Sequence, residues 1–288
     1  LSLELTNSHQ SPRSDNLFPD LTPIDPTLPN LANSLPALDQ QLQLTLQQSD
    51  AYGATQLQLA HRNAVTQFNS MQLSRDLQIG PLLSLNLAVG RNLYVDYSER
   101  LIAFGMKDGL QLGLRLTPTQ RDYLSLQWRR ERLLTQYRAQ IGTAKILNWE
   151  IGHKIRSEYP DWTVRLSGYN NRFAGQELTL SDINAELPEI VISPEQARLL
   201  LPEDSRSISL NLGFGQQYAS DYTRAARLYG DGGVSYSADS GVGYNWLLGV
   251  AGSVVGNDHL TAFMGRNWGG SQNALDTRSL GVKYKLNF

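Results

Sequence analysis

Apolar and polar residues alternate along most of this chain, and the pattern is clearest near its end. Between Leu280 and Phe288 every second residue is apolar, and the residues between them are small or polar. A period of two is typical of a β-strand with one apolar face and one polar face. This stretch therefore predicts a strand that separates an apolar environment from an aqueous one.

The same alternation recurs many times before this strand. Examples are the stretches Leu42 to Leu46, Leu83 to Val89, Leu110 to Leu116, Leu147 to Ile151, Trp162 to Leu166, Ile208 to Phe214 and Val242 to Val250. Turn-forming residues separate such stretches at positions 107–109, 118–120, 159–161 and 256–258. The pattern predicts about 16 strands, with the stretch from Tyr123 to Gly142 counted either as one strand or as two.

These features predict an all-β fold, namely a transmembrane antiparallel up-and-down β-barrel. A soluble β-sandwich is the alternative, but about 16 similar strands exceed an ordinary sandwich. The face that alternates with leucine is rich in Gln, Asn, Ser, Gly and Arg, as expected for a water-filled lumen. We therefore expect arginine to be costly at Leu212 or Val250, and a small polar residue to be tolerated at Asn211 or Gly249.

Overall composition is compatible with such a barrel. The 288 residues carry a formal net charge of −2, which gives no indication of nucleic-acid binding. Mean hydropathy is −0.34, but the alternation of a barrel averages its apolar half away. The sequence has no apolar run of the length of a transmembrane helix. Cysteine is absent, which excludes disulfides and thiol catalysis.

We interpret residues 1–288 as one outer-membrane barrel domain with two long loops. The proline-rich stretch from His9 to Asp39 is the first loop, with a disordered linker as the alternative. The second runs from Phe173 to Ser205 and interrupts the alternation. Because the sequence begins at Leu1 without a methionine, we expect it to be a fragment of a longer secreted precursor.

Charged and aromatic residues on the predicted lumen face are the candidates for a substrate path. They are Arg115, Tyr123, Arg129, Arg138, Glu150, Lys154, Arg165, Tyr169, Lys283 and Lys285. Charge on an inward face costs little in water, so a solvated wall explains them without a ligand. The functional alternative is a polar track for sugar hydroxyls, with Tyr123 and Tyr169 stacking on sugar rings.

Carboxylates are concentrated in the second loop, and they are the candidates for a gate. They are Glu177, Asp182, Glu186, Glu189, Glu195, Glu203 and Asp204, and Arg198 is the one basic residue among them. A solvated surface loop is one explanation. The other is an acidic gate that attracts a cationic ligand.

Motifs for catalysis or cofactor binding are not found. The four histidines lack metal-ligand spacing, and the sequence has neither a Gly-x-Ser-x-Gly motif nor a P-loop. The carboxylates of the second loop do not by themselves predict a glycosidase. We therefore predict no catalytic residue, no metal and no cofactor, and a protein that is not an enzyme.

Two stretches resemble the C-terminal outer-membrane porin domains of Pel exopolysaccharide exporters. One runs from Asn148 to Arg156 and continues from Glu158 to Leu166. The other runs from Gly249 to Leu260 and on to the end of the sequence. The resemblance implies a location in the outer membrane of a Gram-negative bacterium, in contact with its lipids.

The family's known properties define the partners that we expect. The resemblance implies export of a partly de-N-acetylated, cationic amino-sugar polymer for the biofilm matrix. It also implies a tetratricopeptide scaffold upstream of the barrel, a ring-forming outer-membrane lipoprotein and a periplasmic deacetylase/hydrolase. Tyr284, Leu286 and Phe288 resemble the signal for the barrel-assembly machinery. Exporters of cellulose or poly-N-acetylglucosamine, a general diffusion porin and an outer-membrane barrel enzyme are the alternatives.

The basic character of the predicted lumen conflicts with a cationic cargo. Seven of its ten candidates are arginine or lysine and only one is a carboxylate, and Lys283 and Lys285 alone add two charges to one strand. Either some of these residues do not face the lumen, or their charges are paired within the wall.

Overall fold

A computed structural model shows the chain as a series of antiparallel strands. It describes residues 2–10, 39–95, 97, 101, 104–185, 187–219, 222–254, 256, 258–269 and 277–286. Most of the predicted first loop, residues 11–38, lies outside the described residues. Among the described residues, no helix combines the length and the apolar character needed to span a membrane.

Sixteen strands and one short α-helix are described, with 3-10 turns at Leu180–Asp182 and Gln216–Ala219. The strands are β1 (Ser2–Gln10), β2 (Asp39–Asp50), β3 (Gly53–Asn63), β4 (Gln67–Ile79), β5 (Leu83–Leu93), β6 (Gly105–Leu116), β7 (Asp122–Thr135), β8 (Gln140–Arg156), β9 (Trp162–Gly175), β10 (Leu178–Thr179), β11 (Val191–Ile192), β12 (Ser205–Phe214), β13 (Arg227–Ser237), β14 (Gly241–Gly252), β15 (Asp258–Trp268) and β16 (Thr277–Leu286). Helix α1 is Pro194–Arg198.

Sheet order confirms the predicted up-and-down fold. Neighbours in sequence are neighbours in one 14-stranded sheet, in the order β1 to β9 and then β12 to β16. The strand pairs with a described register are antiparallel. Strands β10 and β11 lie in the predicted second loop and pair only with each other, so 14 described strands form the sheet where about 16 were predicted.

Two details of the strand boundaries differ from a simple alternation pattern. The stretch from Tyr123 to Gly142 forms two strands, because the chain turns between Thr135 and Gln140. The predicted turn at 107–109 is wrong, since these residues lie within β6. Their polar side chains have partners there. Lys107 Nζ lies 3.5 Å from Glu131 Oε1, and an oxygen of Asp108 accepts a 2.7 Å hydrogen bond from the Asn92 backbone N–H.

The contacts divide the chain into two compact units, which are described separately below. Unit 1 comprises residues 1–114, 127–147 and 171–204. Unit 2 comprises residues 115–126, 148–170 and 205–288. The interpretation of residues 1–288 as a single barrel domain remains a prediction.

Strands of both units carry large apolar side chains exposed on one face. In unit 2, Leu212 is 43% exposed and Val250 is 41% exposed. In unit 1, Met71 and Leu87 are exposed in the same way. A folded protein in water does not leave such long rows of apolar side chains uncovered. This face is therefore the lipid-facing side, and the alternate positions form the inward face.

Aromatic rings on the inward face of unit 2 lie over glycines of the neighbouring strand. Tyr229 is paired with Gly249 in the register of β13 and β14, and Phe263 is paired with Gly281 in β15 and β16. A Cβ atom added at either glycine would collide with the facing ring. A small polar side chain at Gly249, which the sequence predicts to be tolerated, would therefore require the Tyr229 ring to shift.

Arginine in place of Leu212 should destabilise the folded protein by about 2–4 kcal/mol if the residue lies near the bilayer midplane. The charge would be placed on the lipid face, where water does not solvate it. The measurement is the free energy of unfolding from lipid vesicles. Asn211→Ser, one position away on the inward face, is the matched control and should change stability far less. Equal losses for both variants would contradict the assignment of the two faces.

Candidate substrate path and inner segment

The inward face of unit 2 lines a cavity of about 850 Å³. Its wall carries many neutral hydrogen-bonding groups, namely those of Ser207, Ser209, Asn211, Ser235, Asn245, Asn267, Thr277 and Ser279. These side chains are close together because each lies at an alternate position of a neighbouring strand. The wall therefore offers hydroxyl and amide groups that both donate and accept hydrogen bonds.

Three of the predicted path residues line this cavity: Arg165, Tyr169 and Lys283. Arg165 forms an ion pair with Asp231. Asp231 also accepts hydrogen bonds from Gln216 Nε2 at 2.7 Å and from Asn245 Nδ2 at 3.4 Å. The charge of Arg165 is therefore balanced within the wall, as is that of Asp231.

A second group of predicted residues forms an interacting set elsewhere in unit 2. The guanidinium carbon of Arg115 lies 4.7 Å from the centre of the Tyr123 ring, at cation–π distance. The Tyr123 hydroxyl donates a 2.6 Å hydrogen bond to Glu150 Oε1. These three side chains thus hold one another on the inward face, and Tyr123 has its ring face covered by Arg115 on one side.

The remaining predicted path residues occupy different surroundings. Lys154 and Lys285 are exposed near the ends of β8 and β16. Arg129 lines a smaller cavity of about 140 Å³ in unit 1, together with Lys107 and Glu131. Arg138 was predicted on a strand face, and this is wrong. It is exposed in the turn between β7 and β8, with a φ of 70°, so it does not belong to a strand wall.

Residues 176–204, between β9 and β12, are an ordered segment of unit 1. They contain the β10–β11 pair and helix α1. The side-chain oxygen of Ser193 caps α1 by accepting a hydrogen bond from the Gln196 backbone N–H, and Pro194 occupies the first turn. The Ser193 cap and Pro194 favour a helix start at this point, so the strand alternation is interrupted here.

An apolar core fixes this inner segment to the strands. Leu180, Ile183, Ile192 and Leu200 of the segment are at most 1% exposed. They belong to one buried cluster with strand residues of β7, β8 and β9, namely Leu133, Ile141, Ala144, Ile146 and Phe173, and with Val95, Leu101 and Phe104. In the strand alternation, Leu133 and Phe173 lie opposite to the lipid-facing positions. The segment therefore packs on the inward face of unit 1.

The predicted gate carboxylates occupy the surface of this segment, with different degrees of engagement. Glu177, Glu189, Glu195 and Glu203 are exposed. Asp182 caps the first 3-10 turn through Thr179. Asp204 accepts hydrogen bonds from the Phe173 backbone N–H at 2.8 Å and from Arg198 at 2.9 Å. Glu186 lies outside the described residues.

A buried polar cluster in unit 1 was not predicted from the sequence. The Tyr97 hydroxyl donates a hydrogen bond to Glu131, and Lys107 Nζ donates to the Tyr97 oxygen at 3.1 Å. The side chains of Lys107 and Glu131 are 11% and 6% exposed. Tyr97 also packs edge-on against Phe173 at 5.8 Å between ring centres. Because residues 107–109 were predicted to form a turn, Lys107 was not expected on a strand beside Glu131, and the cluster was not predicted.

The predicted assembly signal lies on and beyond the last strand. Tyr284 is 49% exposed on the lipid-facing side and is paired with Leu260. Leu286 is opposite Asp258 in the register. Phe288 lies outside the described residues.

An up-and-down antiparallel sheet with an exposed apolar face and a polar inward face is the structure of a bacterial outer-membrane β-barrel. The protein is an outer-membrane barrel of a Gram-negative bacterium. Residues 20–287 match the family described as PelB, C-terminal beta barrel domain, and the chain belongs to this family.

The solved structures that match this chain include two that align with 86% of its residues. A bacterial polysaccharide outer membrane secretin shares 10% identity, with a TM-score of 0.60 over 86% of this chain and 79% of that one. OccK11 (OpdR) of Pseudomonas aeruginosa shares 9% identity, with a TM-score of 0.47 over 86% and 69%. At such identities the likeness to the secretin shows the fold alone. No curated protein matches the sequence significantly.

Shortening a buried side chain of the inner segment should loosen it from the wall. Leu180→Ala removes part of the apolar core and should destabilise the segment by about 2–5 kcal/mol. The expected result is faster amide hydrogen exchange within residues 176–204, while exchange in β12 to β16 stays unchanged. Leu199→Ala is the matched control, because Leu199 is 48% exposed. Equal exchange in both variants would contradict the packing described above.

Proposed function

We propose that this protein is the outer-membrane channel through which a Pel-type exopolysaccharide leaves the cell. The match of residues 20–287 to the PelB C-terminal barrel family is the observation that carries this proposal. The polymer is a partly de-N-acetylated amino-sugar chain that enters the biofilm matrix. Conduction is passive, and the barrel supplies a wetted wall rather than a chemical step.

The inward face supports conduction of a hydrophilic chain. Serine, threonine and asparagine side chains of unit 2 exchange hydrogen bonds with sugar hydroxyls at little cost, because water competes for both partners. The ion pair between Arg165 and Asp231 also reduces the conflict between basic wall residues and a cationic cargo. A general diffusion porin remains the second candidate, since a polar wall serves small solutes as well.

Export requires partners on the periplasmic side. The proposed partners are a ring-forming outer-membrane lipoprotein, a periplasmic deacetylase/hydrolase and a tetratricopeptide scaffold that precedes the barrel in the full protein. The barrel-assembly machinery is the further partner, and it recognises the end of β16 with Tyr284, Leu286 and Phe288. In this proposal residues 1–288 act as one barrel domain without enzymatic activity.

The inner segment, residues 176–204, is proposed to narrow the channel. Its apolar core lies against inward-facing strand residues, so the segment occupies space that would otherwise hold water. Glu177, Glu189 and Glu195 are exposed and attract the ammonium groups of a passing chain. This attraction is screened over about 8 Å at physiological ionic strength, so it acts only near the segment.

Deletion of this protein should abolish the matrix polymer and leave the uptake of small solutes unchanged. The test is a bacterium that carries the gene, with polymer measured on the cell surface and uptake measured with a small labelled sugar. Complementation with the intact gene is the control and should restore the polymer. If uptake falls while the polymer persists, the protein is a general diffusion porin.

Removal of residues 177–203, with a short Gly-Ser linker in their place, should raise single-channel conductance in planar bilayers. The reason is that the segment occupies part of the lumen. The control for barrel assembly is electrophoretic migration, which should still differ between heated and unheated samples of the shortened protein. A matched variant with Glu177, Glu189 and Glu195 changed to Gln should keep the conductance of the unchanged protein but slow export. Unchanged conductance after the deletion would show that the segment does not narrow the channel.

A further inference from the structure

The cavity in unit 2 combines neutral hydrogen-bonding groups with aromatic side chains, of which Phe263 carries no polar atom. Phe263 lines it from β15, and the end of its ring occupies the space that a side chain at position 281 would need. An aromatic ring at a polar wall offers an apolar surface for the C–H face of a sugar ring. Ser279 and Asn267 lie on the same wall and can bond sugar substituents.

Carboxylate charge available to a ligand is lacking in this cavity. Among the described residues that line it, Asp231 is the single carboxylate. Its side chain is 14% exposed, and its oxygens are engaged by Arg165, Gln216 and Asn245. Three donors already occupy most of the roughly four acceptor positions of a carboxylate, and Arg165 balances its charge, so little capacity remains for an ammonium group.

Positive charge, in contrast, remains available. Lys283 lines the cavity, is exposed, and has no ion-pair partner among the described residues. Arg165 and Arg266 also line the cavity, and Asp231 balances the charge of Arg165. An ammonium-bearing sugar in this cavity would face a like charge without a free counter-charge, which is unfavourable.

Size is also consistent with an oligosaccharide. Binding sites for drug-sized ligands have volumes of about 300–1,000 Å³, and the cavity has about 850 Å³. This is room for several sugar units rather than for a single ion or water cluster.

We propose that this cavity is a carbohydrate subsite that holds uncharged, N-acetylated segments of the exported chain. Acetamido and hydroxyl groups bond to the serine and asparagine side chains, and one sugar ring packs on Phe263. De-acetylated units are not bound here, because Lys283 repels their ammonium groups. The proposal rests on the proposed function, and it assigns the wall of unit 2 to the neutral part of the polymer.

Direct binding to the whole protein, refolded in detergent micelles, tests this assignment. The probes are the β-1,4-linked tetramer of N-acetylglucosamine and the tetramer of glucosamine, titrated calorimetrically at neutral pH. The expected result is at least about tenfold tighter binding of the acetylated tetramer. Equal or tighter binding of the glucosamine tetramer would overturn the proposal.

Variants identify the cavity as the site of binding. Phe263→Ala should weaken binding of the acetylated tetramer about tenfold, whereas Met264→Ala, its lipid-facing neighbour, should leave binding unchanged. Lys283→Glu should tighten binding of the glucosamine tetramer about tenfold with little effect on the acetylated one. If Phe263→Ala and Met264→Ala bind alike and Lys283→Glu has no effect, the subsite is not in this cavity.

Failure of this proposal is distinguishable from failure of the proposed function. If deletion of the protein abolishes the matrix polymer while the glucosamine tetramer binds as tightly as the acetylated one, export stands and only the subsite is wrong. If the polymer persists after the deletion, the export function itself is wrong, whatever the tetramers show.

Discussion

The hydrocarbon layer of the membrane is the constraint on which the rest of this structure depends. Every backbone N–H and C=O group within it needs a partner from the protein, because lipid offers none. A ladder of neighbouring antiparallel strands meets this requirement with short connections. Once each strand is extended, its side chains alternate between lipid and lumen. The exposed row with Leu212 and Val250 and the polar wall with Ser209 and Asn211 are therefore two consequences of one backbone requirement.

The sequence was sufficient to predict the fold because this alternation is written into nearly every strand. The alternation also predicted which side chains face inward, and Arg165, Tyr169 and Lys283 line a common cavity on that face. What could not be read is whatever depends on a partner distant in sequence. Lys107 lies in a strand with Glu131 as its ion-pair partner, and Gly249 leaves room for the ring of Tyr229. The prediction that Arg138 lies on a strand face was wrong for a local reason, since the chain turns between Thr135 and Gln140.

The inner segment shows a different limit of sequence analysis. Its seven carboxylates are conspicuous, and they predicted a charged loop. Its fixed position, however, comes from Leu180, Ile183, Ile192 and Leu200, whose spacing follows neither a helical nor a strand period over any length. They pack together only because two short strands, a 3-10 turn and α1 fold the segment back on the wall. The attachment is mainly apolar, and the carboxylates of Glu177, Glu189, Glu195 and Glu203 are exposed.

The ion pair of Arg165 and Asp231 has a consequence for how such a wall changes over evolution. Each charge cancels the other, so this pair adds no net charge to the wall that Lys283 also lines. Loss of Asp231 through one codon change would uncover a cation, and loss of Arg165 would uncover an anion. A single substitution at either position thus changes the net charge of this wall by one unit, in opposite directions at the two positions. The backbone, the number of strands and the register need not change for the charge along the wall to change sign locally.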